Sequence, residues 1–293
     1  MNGLRSLGVV VIVVAGLSAR CGDVNAALGQ VSEARRLSAD LLIEFTRAAD
    51  AANRAVMADT DEMSIASAHD AELAKQIVHK DVDALGPILR TLGYADESRL
   101  LRDFAIRFGD YETLDRRVLD LAVENTNLKA QRLSFGPAQA AADDFRDALE
   151  ALVPARDEWR VKALAAGAVA AVREIQALQA PHIAEPENAS MTRLEQRMAA
   201  AEAVARRALE TLAPLVTPAS RPRLAAAATA LDRFMGLNQE ILALSRRNTN
   251  VRSLALSLDD KRKLTGPCED SLRALQAAIN KHGYPGGPHP GGR

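Results

Sequence analysis

Two copies of the tripeptide Asn-Thr-Asn carry the polar groups best suited to binding chemistry in this chain. They occupy residues 125–127 and 248–250, which are 123 positions apart. Amide and hydroxyl groups inside a helical protein can orient a small ligand, whereas a buried amide without a partner costs about 1–3 kcal/mol. We predict a ligand site at the following residues: Asn125, Thr126, Asn248 and Thr249. The alternative is that the asparagines fix the register of packed helices.

Arg132 is the one charged residue on the same predicted helical face as the first tripeptide. It lies seven residues after Asn125, and the second copy has Ala255 at the equivalent position. A guanidinium group offers a forked pair of donors that matches a carboxylate. We therefore predict that Arg132 contributes to a site for a small carboxylate or an amino acid. The alternative is that Arg132 lies near a helix end and extends into water.

The remaining reactive residue types have no spacing that favours catalysis, metal binding or a cofactor. A stripe of polar residues from His69 to Asp83 is typical of a solvated helix face, and the chain has no Glu-x-x-His motif. Cys21 and Cys268 are too far apart for a C-x-x-C pair. The net charge of −1 and the mixed distribution of charges argue against a nucleic-acid partner. We expect no enzyme activity, no metal and no cofactor.

The tripeptides lie within a longer internal repeat. Eleven positions between Leu101 and Phe135 are spaced three or four apart, as on one face of an α-helix. The face recurs 123 residues later, from Leu224 to Leu258, and both copies continue to a Leu-Ser pair. A stripe with the same polar interruption and the same following residues predicts two related helical halves.

The composition and the positions of proline and glycine indicate the architecture. Aromatic residues make up only 3% of the chain, and no window alternates as a strand would. Short connections containing proline or glycine join the helical patterns, which favours antiparallel neighbours. We predict an all-α protein with two tandem up-and-down four-helix bundles. The expected divisions are residues 23–153, residues 154–281, and a disordered Gly/Pro tail at residues 282–293.

The N-terminal residues 1–22 have the pattern of a signal peptide or membrane anchor. Arg5 precedes an apolar run of 11 residues, Leu7–Leu17. That run is shorter than the roughly 20 residues of a spanning helix, so a cleaved signal peptide is favoured. Lipidation at Cys21 and a retained short anchor are the alternatives. In each case residues 4–19 direct the chain to the periplasm or the inner membrane.

Two runs resemble a known family. Residues 118–130, Val-Leu-Asp-Leu-Ala-Val-Glu-Asn-Thr-Asn-Leu-Lys-Ala, are similar to the third helix of the four-helix-bundle sensor domain of methyl-accepting chemotaxis proteins. Residues 247–257 are similar to the same helix, and the apolar N-terminal segment leads into Val24–Leu28 as it does in that family. Two such modules resemble the helical bimodular sensors of this group, over nearly all of the chain after residue 20.

The resemblance implies an extracytoplasmic ligand-sensing module for chemotaxis or other signal transduction. It implies a small carboxylate or amino acid as ligand, and a homodimer or a membrane signalling protein as partner. The sequence contains no second apolar segment and no cytoplasmic signalling region, which full receptors carry. The other class of function is a structural or protein-interaction bundle without a small-molecule ligand.

Overall fold

The computed structural model describes residues 8–282, with side chains from residue 26 onward. These residues form α-helices without a sheet, which confirms the all-α fold class. The α-helices are α1 (Gly8–Met57), α2 (Asp61–Thr91), α3 (Ala95–Glu124), α4 (Thr126–Leu133), α5 (Gln139–Glu150), α6 (Glu158–Ala184), α7 (Asn188–Leu212), α8 (Arg221–Arg247), α9 (Thr249–Leu256) and α10 (Arg262–Lys281). Two π-helical segments, Ser134–Ala138 and Ser257–Lys261, and a 3₁₀ turn at Pro218–Ser220 complete the described elements.

Local chemistry explains where several helices begin and end. Gly93 follows α2 with φ of 73°, a left-handed conformation that glycine adopts without steric cost. The Tyr94 amide then donates to the carbonyl of Leu89, as in a helix C-cap. At the start of α6, the Asp157 carboxylate accepts a hydrogen bond from the amide of Arg160. These caps satisfy backbone groups that the helix itself leaves unpaired.

The chain divides into two compact units that are discontinuous in sequence. Unit 1 comprises the residues up to Ala58, Glu62–Leu119 and the residues from Leu256 onward. Unit 2 comprises Asp59–Asp61 and Asp120–Ala255. Each sequence half therefore gives its last helix to the other unit.

This division differs from the contiguous domains expected to meet at residue 153. The expected boundary rested on proline and glycine as helix terminators, but the division falls earlier: most of α3 belongs to unit 1, whereas α4 and α5 belong to unit 2. Likewise α8 belongs to unit 2, and its continuation as α10 belongs to unit 1. We call α3–α4–α5 the first rod and α8–α9–α10 the second rod.

The core of unit 1 is contributed by α1, α2, α3 and α10 and is rich in aromatic rings. The buried rings lie with centroids 5.1–6.1 Å apart. They are Phe45, Phe104, Phe108 and Tyr111. Cys268 of α10 is also in this core, and burial raises the pKa of its thiol to about 11. The thiol is therefore protonated at neutral pH and takes the role of a small apolar side chain.

The core of unit 2 is contributed by α4–α5, α6, α7 and α8. It is built largely from alanine, leucine, valine and methionine, with Phe145 and Phe234 as its fully buried aromatic rings. Small side chains allow close helix packing but cover less apolar area per residue than the rings of unit 1. This core also contains buried polar residues, among them Gln179, His182 and Asn238.

In both rods the α-helix is interrupted by a left-handed asparagine and later passes through a π-helical segment, at equivalent positions of the repeat. Asn125 and Asn248 have φ of 51° and 52°, so each ends one helix and begins the next. An eight-residue helix and a π-helical segment follow in both rods, again 123 residues apart. The expectation of uninterrupted stripe helices was wrong at these asparagines, because asparagine tolerates the left-handed region better than most residues. Pro137 does not end the first rod, because it lies in the wide π turn.

No helix within the described part is both long and apolar enough to cross a membrane. The predicted leader at residues 1–22 lies outside the residues whose side chains are described, and residues 283–293 of the predicted tail lie outside the described residues altogether. His282 does not belong to a disordered tail, because its ring stacks on Tyr94 with centroids 3.7 Å apart and its Nε2 lies 2.8 Å from Glu97 Oε1.

Candidate functional site

The structure brings the two Asn-Thr-Asn tripeptides together in unit 2. The amide of Thr126 donates to Thr249 Oγ1 over 3.1 Å, and the amide of Thr249 donates to Thr126 Oγ1 over 3.2 Å. The two hydroxyl oxygens lie 3.1 Å apart. Each threonine therefore caps the first turn of the opposite helix, as an N-cap side chain does within one helix. We call residues 125–127 and 248–250 the Asn-Thr-Asn junction.

The asparagines of the junction repeat the same reciprocal pattern. The amides of Asn127 and Asn250 each donate to the other residue's Oδ1 over 3.1 Å. The side-chain amide of Asn250 donates to Asn125 Oδ1 over 2.8 Å, and that of Asn127 donates to Asn248 Oδ1 over 2.7 Å. The internal repeat thus has a local two-fold relation in its hydrogen bonds, not only in its sequence.

The junction is nearly saturated with hydrogen bonds. Asn127 Nδ2 also donates to the carbonyl of Ile183, and Asn248 Nδ2 donates to the carbonyl of Glu185. Among the described residues only Asn125 Nδ2, of the junction's buried side-chain polar atoms, donates to no group. The predicted site residues are therefore brought together, but their polar groups bind one another. A ligand at this position would have to displace hydrogen bonds that already exist.

Arg132 does not join the junction. Its Nη1 lies 2.9 Å from Asp61 Oδ2, and its side chain is 49% exposed. This position agrees with the alternative that Arg132 lies near a helix end and extends into water, and the side chain is not among the polar groups of the junction. An exposed ion pair of this kind contributes at most about 1 kcal/mol.

A second polar group in unit 2 was missed by the sequence analysis. His182 is fully buried; its Nδ1 lies 2.8 Å from Ser245 Oγ and its Nε2 lies 2.9 Å from Glu195 Oε1. Arg246 holds Glu195 through two hydrogen bonds of 2.7–2.8 Å. The Arg246 hydrogen bond, and to a lesser extent His182, lower the pKa of Glu195 against the opposing effect of burial. The signal that could have located His182 is its spacing of seven from Ile175 on an inner helix face.

Ser245, His182 and Glu195 are the residue types of a serine, histidine and carboxylate catalytic triad, but a substrate cannot reach the serine. Ser245 and His182 have no exposed surface, and Ser245 Oγ also lies 2.9 Å from the carbonyl oxygen of His182. A nucleophilic serine must reach a substrate carbonyl as well as its base. The geometry therefore describes a buried cross-link between α6, α7 and α8.

A third polar row in unit 2 links three elements through side chains. Ser134 donates to Gln179 Oε1 over 2.7 Å, and Gln179 Nε2 donates to Asn238 Oδ1 over 2.9 Å. All three residues are buried. Because each buried amide has a partner, the row stabilises one arrangement of the helices without a large desolvation cost.

Unit 1 contains a buried ionic cluster instead. Asp115 lies 2.8 Å from Lys75 Nζ and 2.7 Å from Lys261 Nζ, and all three side chains are at most 3% exposed. Burial would lower the pKa of Lys75, but Asp115 and Glu72 outweigh that effect and raise it. For Lys261 burial dominates and lowers the pKa. Tyr111, whose hydroxyl lies 3.5 Å from Asp115, has its pKa raised by burial and by that carboxylate.

A cleft in unit 2 lies between the end of α5 and the start of α6. Its volume is about 460 Å³. The lining is mainly apolar, with two charged residues at its edge. The lining residues are Leu149, Glu150, Leu152, Pro154, Val161, Lys162, Ala165, Ala166, Val169 and Ala170. Its size is within the range of small-molecule sites. In the described part of the chain, no group of three metal-ligating side chains forms a metal site.

Comparisons with protein-family models, with curated proteins and with solved structures find no match for this chain.

Proposed function

We propose that this protein is an extracytoplasmic ligand-sensing module of the chemoreceptor type, active in signal transduction. The observation that carries the proposal is the reciprocal Asn-Thr-Asn junction. It joins two long rods at the point where each rod changes from one helix to the next. A sensor needs an element through which a local change at a ligand site alters a longer helix.

The junction supplies such an element on physical grounds. Each threonine accepts a hydrogen bond from the backbone of the other rod, so a displacement of one rod strains bonds that hold the other. The left-handed asparagines interrupt the helical hydrogen bonding there. Movement is consequently less costly at this level than within an unbroken helix.

The partners proposed for this function are a second copy of the chain or a membrane signalling protein, as the sequence resemblance implies. The ligand is a small organic molecule, and the resemblance favours a carboxylate or an amino acid. The saturation of the junction favours a ligand position elsewhere in the cores.

A thermal-shift screen tests the sensing function. A ligand that binds only the folded chain raises the free energy of unfolding by about 2.7 kcal/mol at 100 times its dissociation constant. The library includes carboxylates, amino acids and neutral aliphatic compounds. A fusion of residues 1–30 to a reporter active only in the periplasm tests the location. A ligand hit and an active reporter support the proposal; no hit together with an inactive reporter contradicts it.

The second candidate is a structural or protein-interaction protein without a small-molecule ligand. It is favoured by one observation: the polar groups of the junction satisfy one another. Under this alternative, the screen finds no stabilising compound, although the chain is exported and folded.

A further inference from the structure

The cleft in unit 2 exists because one helix is shorter than its counterpart. After equivalent π-helical segments, α5 runs for 12 residues and ends at Glu150, whereas α10 runs for 20 residues and ends at Lys281. The two helices occupy the same place in the internal repeat. Unit 2 therefore lacks two turns of helix that unit 1 possesses.

Unit 1 shows which chemistry covers the corresponding surface. Leu272, Leu275 and Ile279 of α10 are completely buried in the core that α1 shares. The residues 123 positions earlier are Leu149, Leu152 and Arg156. Leu149 and Leu152 line the cleft, but Arg156 is exposed and replaces an aliphatic group with a charged one. The missing occupant of the cleft is thus an aliphatic group in the place of Ile279.

The chain after α5 is held in position and leaves the cleft open. The amide of Ala155 donates to the carbonyl of Leu215, and that of Thr217 donates to the carbonyl of Val153. The amide of Val153 also donates to Ser220 Oγ over 2.9 Å. These bonds fix the segment against the connection between α7 and α8. A pre-formed apolar cavity binds a ligand without the cost of ordering its own walls.

The charges at the edge of the cleft disfavour an anion. Lys162 lies 2.5 Å from Glu158, so its charge is already paired. Glu150 adds a further carboxylate at the C-terminal end of α5. The C-terminal end of α5 carries partial negative charge and the start of α6 carries partial positive charge, so the two helix ends oppose each other. The charged side chains Glu150, Glu158 and Lys162 then leave a net negative charge. A ligand carboxylate would therefore meet repulsion at the same edge.

We propose that this cleft binds a neutral, mainly aliphatic small molecule, whose chain takes the place that Ile279 has in unit 1. The binding itself follows from the cleft, whereas its use as a signal rests on the sensing function proposed above. The ligand class differs from the carboxylates and amino acids that the sequence favoured.

Isothermal titration calorimetry with 1-octanol and octanoate tests the site on the full chain. We expect 1-octanol to bind with one site per chain, and octanoate to bind at least about tenfold more weakly, which corresponds to about 1.4 kcal/mol. Trp159 is the single tryptophan of the chain, is 80% exposed, and lies two residues before Val161. Its emission should change with the same midpoint as the calorimetric signal.

Two matched variants on α6 locate the binding. Ala165 lines the cleft, whereas Ala177 is exposed on the same helix outside the lining. Ala165→Leu should fill the cleft and weaken 1-octanol binding at least about tenfold, and Ala177→Leu should leave it unchanged. If Ala165→Leu does not fold, Leu152→Ala replaces it, and this larger cleft should favour a branched alcohol over 1-octanol.

The proposal is overturned by no binding of 1-octanol to the folded chain, by equal binding of 1-octanol to both Leu variants, or by tighter binding of octanoate than of 1-octanol. A change of molecular mass by light scattering in Ala165→Leu alone would also overturn it, since the cleft would then hold a protein surface. If 1-octanol does not bind but another screened compound stabilises the chain, the sensing function stands and this site fails. If 1-octanol binds but a hybrid receptor carrying this module gives no response, the site stands and the sensing function fails.

Discussion

Four equivalent core positions hold three charged residues and a tyrosine in one unit and only neutral residues in the other. In unit 1 they are Tyr111, Asp115, Lys75 and Lys261. At an offset of 123 residues, later in the chain for the first three and earlier for the last, unit 2 has Phe234, Asn238, Met198 and Ala138. Asp115 contacts two lysines, and Asn238 contacts Gln179 and the sulfur of Met198. One backbone pattern therefore supports two different interiors.

The charged core of unit 1 and the neutral core of unit 2 suit the two units to different roles. A buried ion cluster tolerates the loss of a partner poorly, and the aromatic rings around it fill space efficiently. Unit 2 has smaller core side chains, neutral polar rows and the cleft left by the short α5. We infer that unit 1 is the more rigid of the two and that unit 2 is the unit suited to ligand entry.

The largest effect should come from the ionic cluster. Asp115→Asn leaves two buried lysines without their shared carboxylate, and should lower the free energy of unfolding by about 3–5 kcal/mol. The equivalent Asn238→Leu in unit 2 removes only neutral hydrogen bonds and should cost about 1–3 kcal/mol. Denaturant unfolding followed by circular dichroism measures both. Equal costs for the two variants would contradict the contrast between the units.

The junction asparagines should differ from each other by a smaller amount. Alanine at either position is strained in the left-handed region by about 1–2 kcal/mol, and each lost hydrogen bond adds about 1 kcal/mol. Asn248 uses both side-chain atoms, whereas Asn125 uses only its oxygen among the described groups. Asn248→Ala should therefore be the more destabilising in thermal melts. Glycine variants, which remove the strain, should recover part of the loss; no recovery would refute the strain argument.

Measuring the free energy of unfolding as a function of pH should reveal the contribution of the Glu195 carboxylate. Its pKa is lowered in the folded chain from an ordinary value of 4.5, chiefly by Arg246. The unfolded state therefore takes up a proton first as the pH falls, so this stabilisation is complete above that value and is lost below it. Glu195→Gln should remove that part of the pH dependence, with exposed Glu210→Gln as the control. An unchanged acid slope in Glu195→Gln would show that the pairing contributes nothing.

Helical content and the internal repeat were predictable because both depend on local spacing. The 123-residue offset, seen first in the stripe from Leu101, recurs in the left-handed asparagines and in the π segments. The helix breaks themselves were not predicted, since an asparagine inside an apolar stripe has the same spacing whether or not its backbone changes conformation. The exchange of last helices between units depends on packing between distant segments, which local pattern does not encode.

The site was predictable in part for the same reason. The junction residues were identified because polar side chains within an apolar stripe must find partners, but the sequence could not show that they pair with each other. For Arg132 the sequence left both an inner and a surface position open, because a long side chain near a helix end can extend into water, as it does here. His182 could not be placed from the sequence because a proline such as Pro181 favours the end of a helix just before it, whereas α6 continues to Ala184.

A double-mutant cycle on Thr126→Val and Thr249→Val tests the central claim that the junction couples the two rods directly. The two hydroxyls and two amides form one reciprocal set, so the double variant should cost less than the sum of the single variants by about 1 kcal/mol. Exposed Thr113 and Thr229, each bonded to its own helix, form the control pair and should be additive. Additive costs at Thr126 and Thr249, within about 0.5 kcal/mol, would contradict direct coupling and with it the account of the junction.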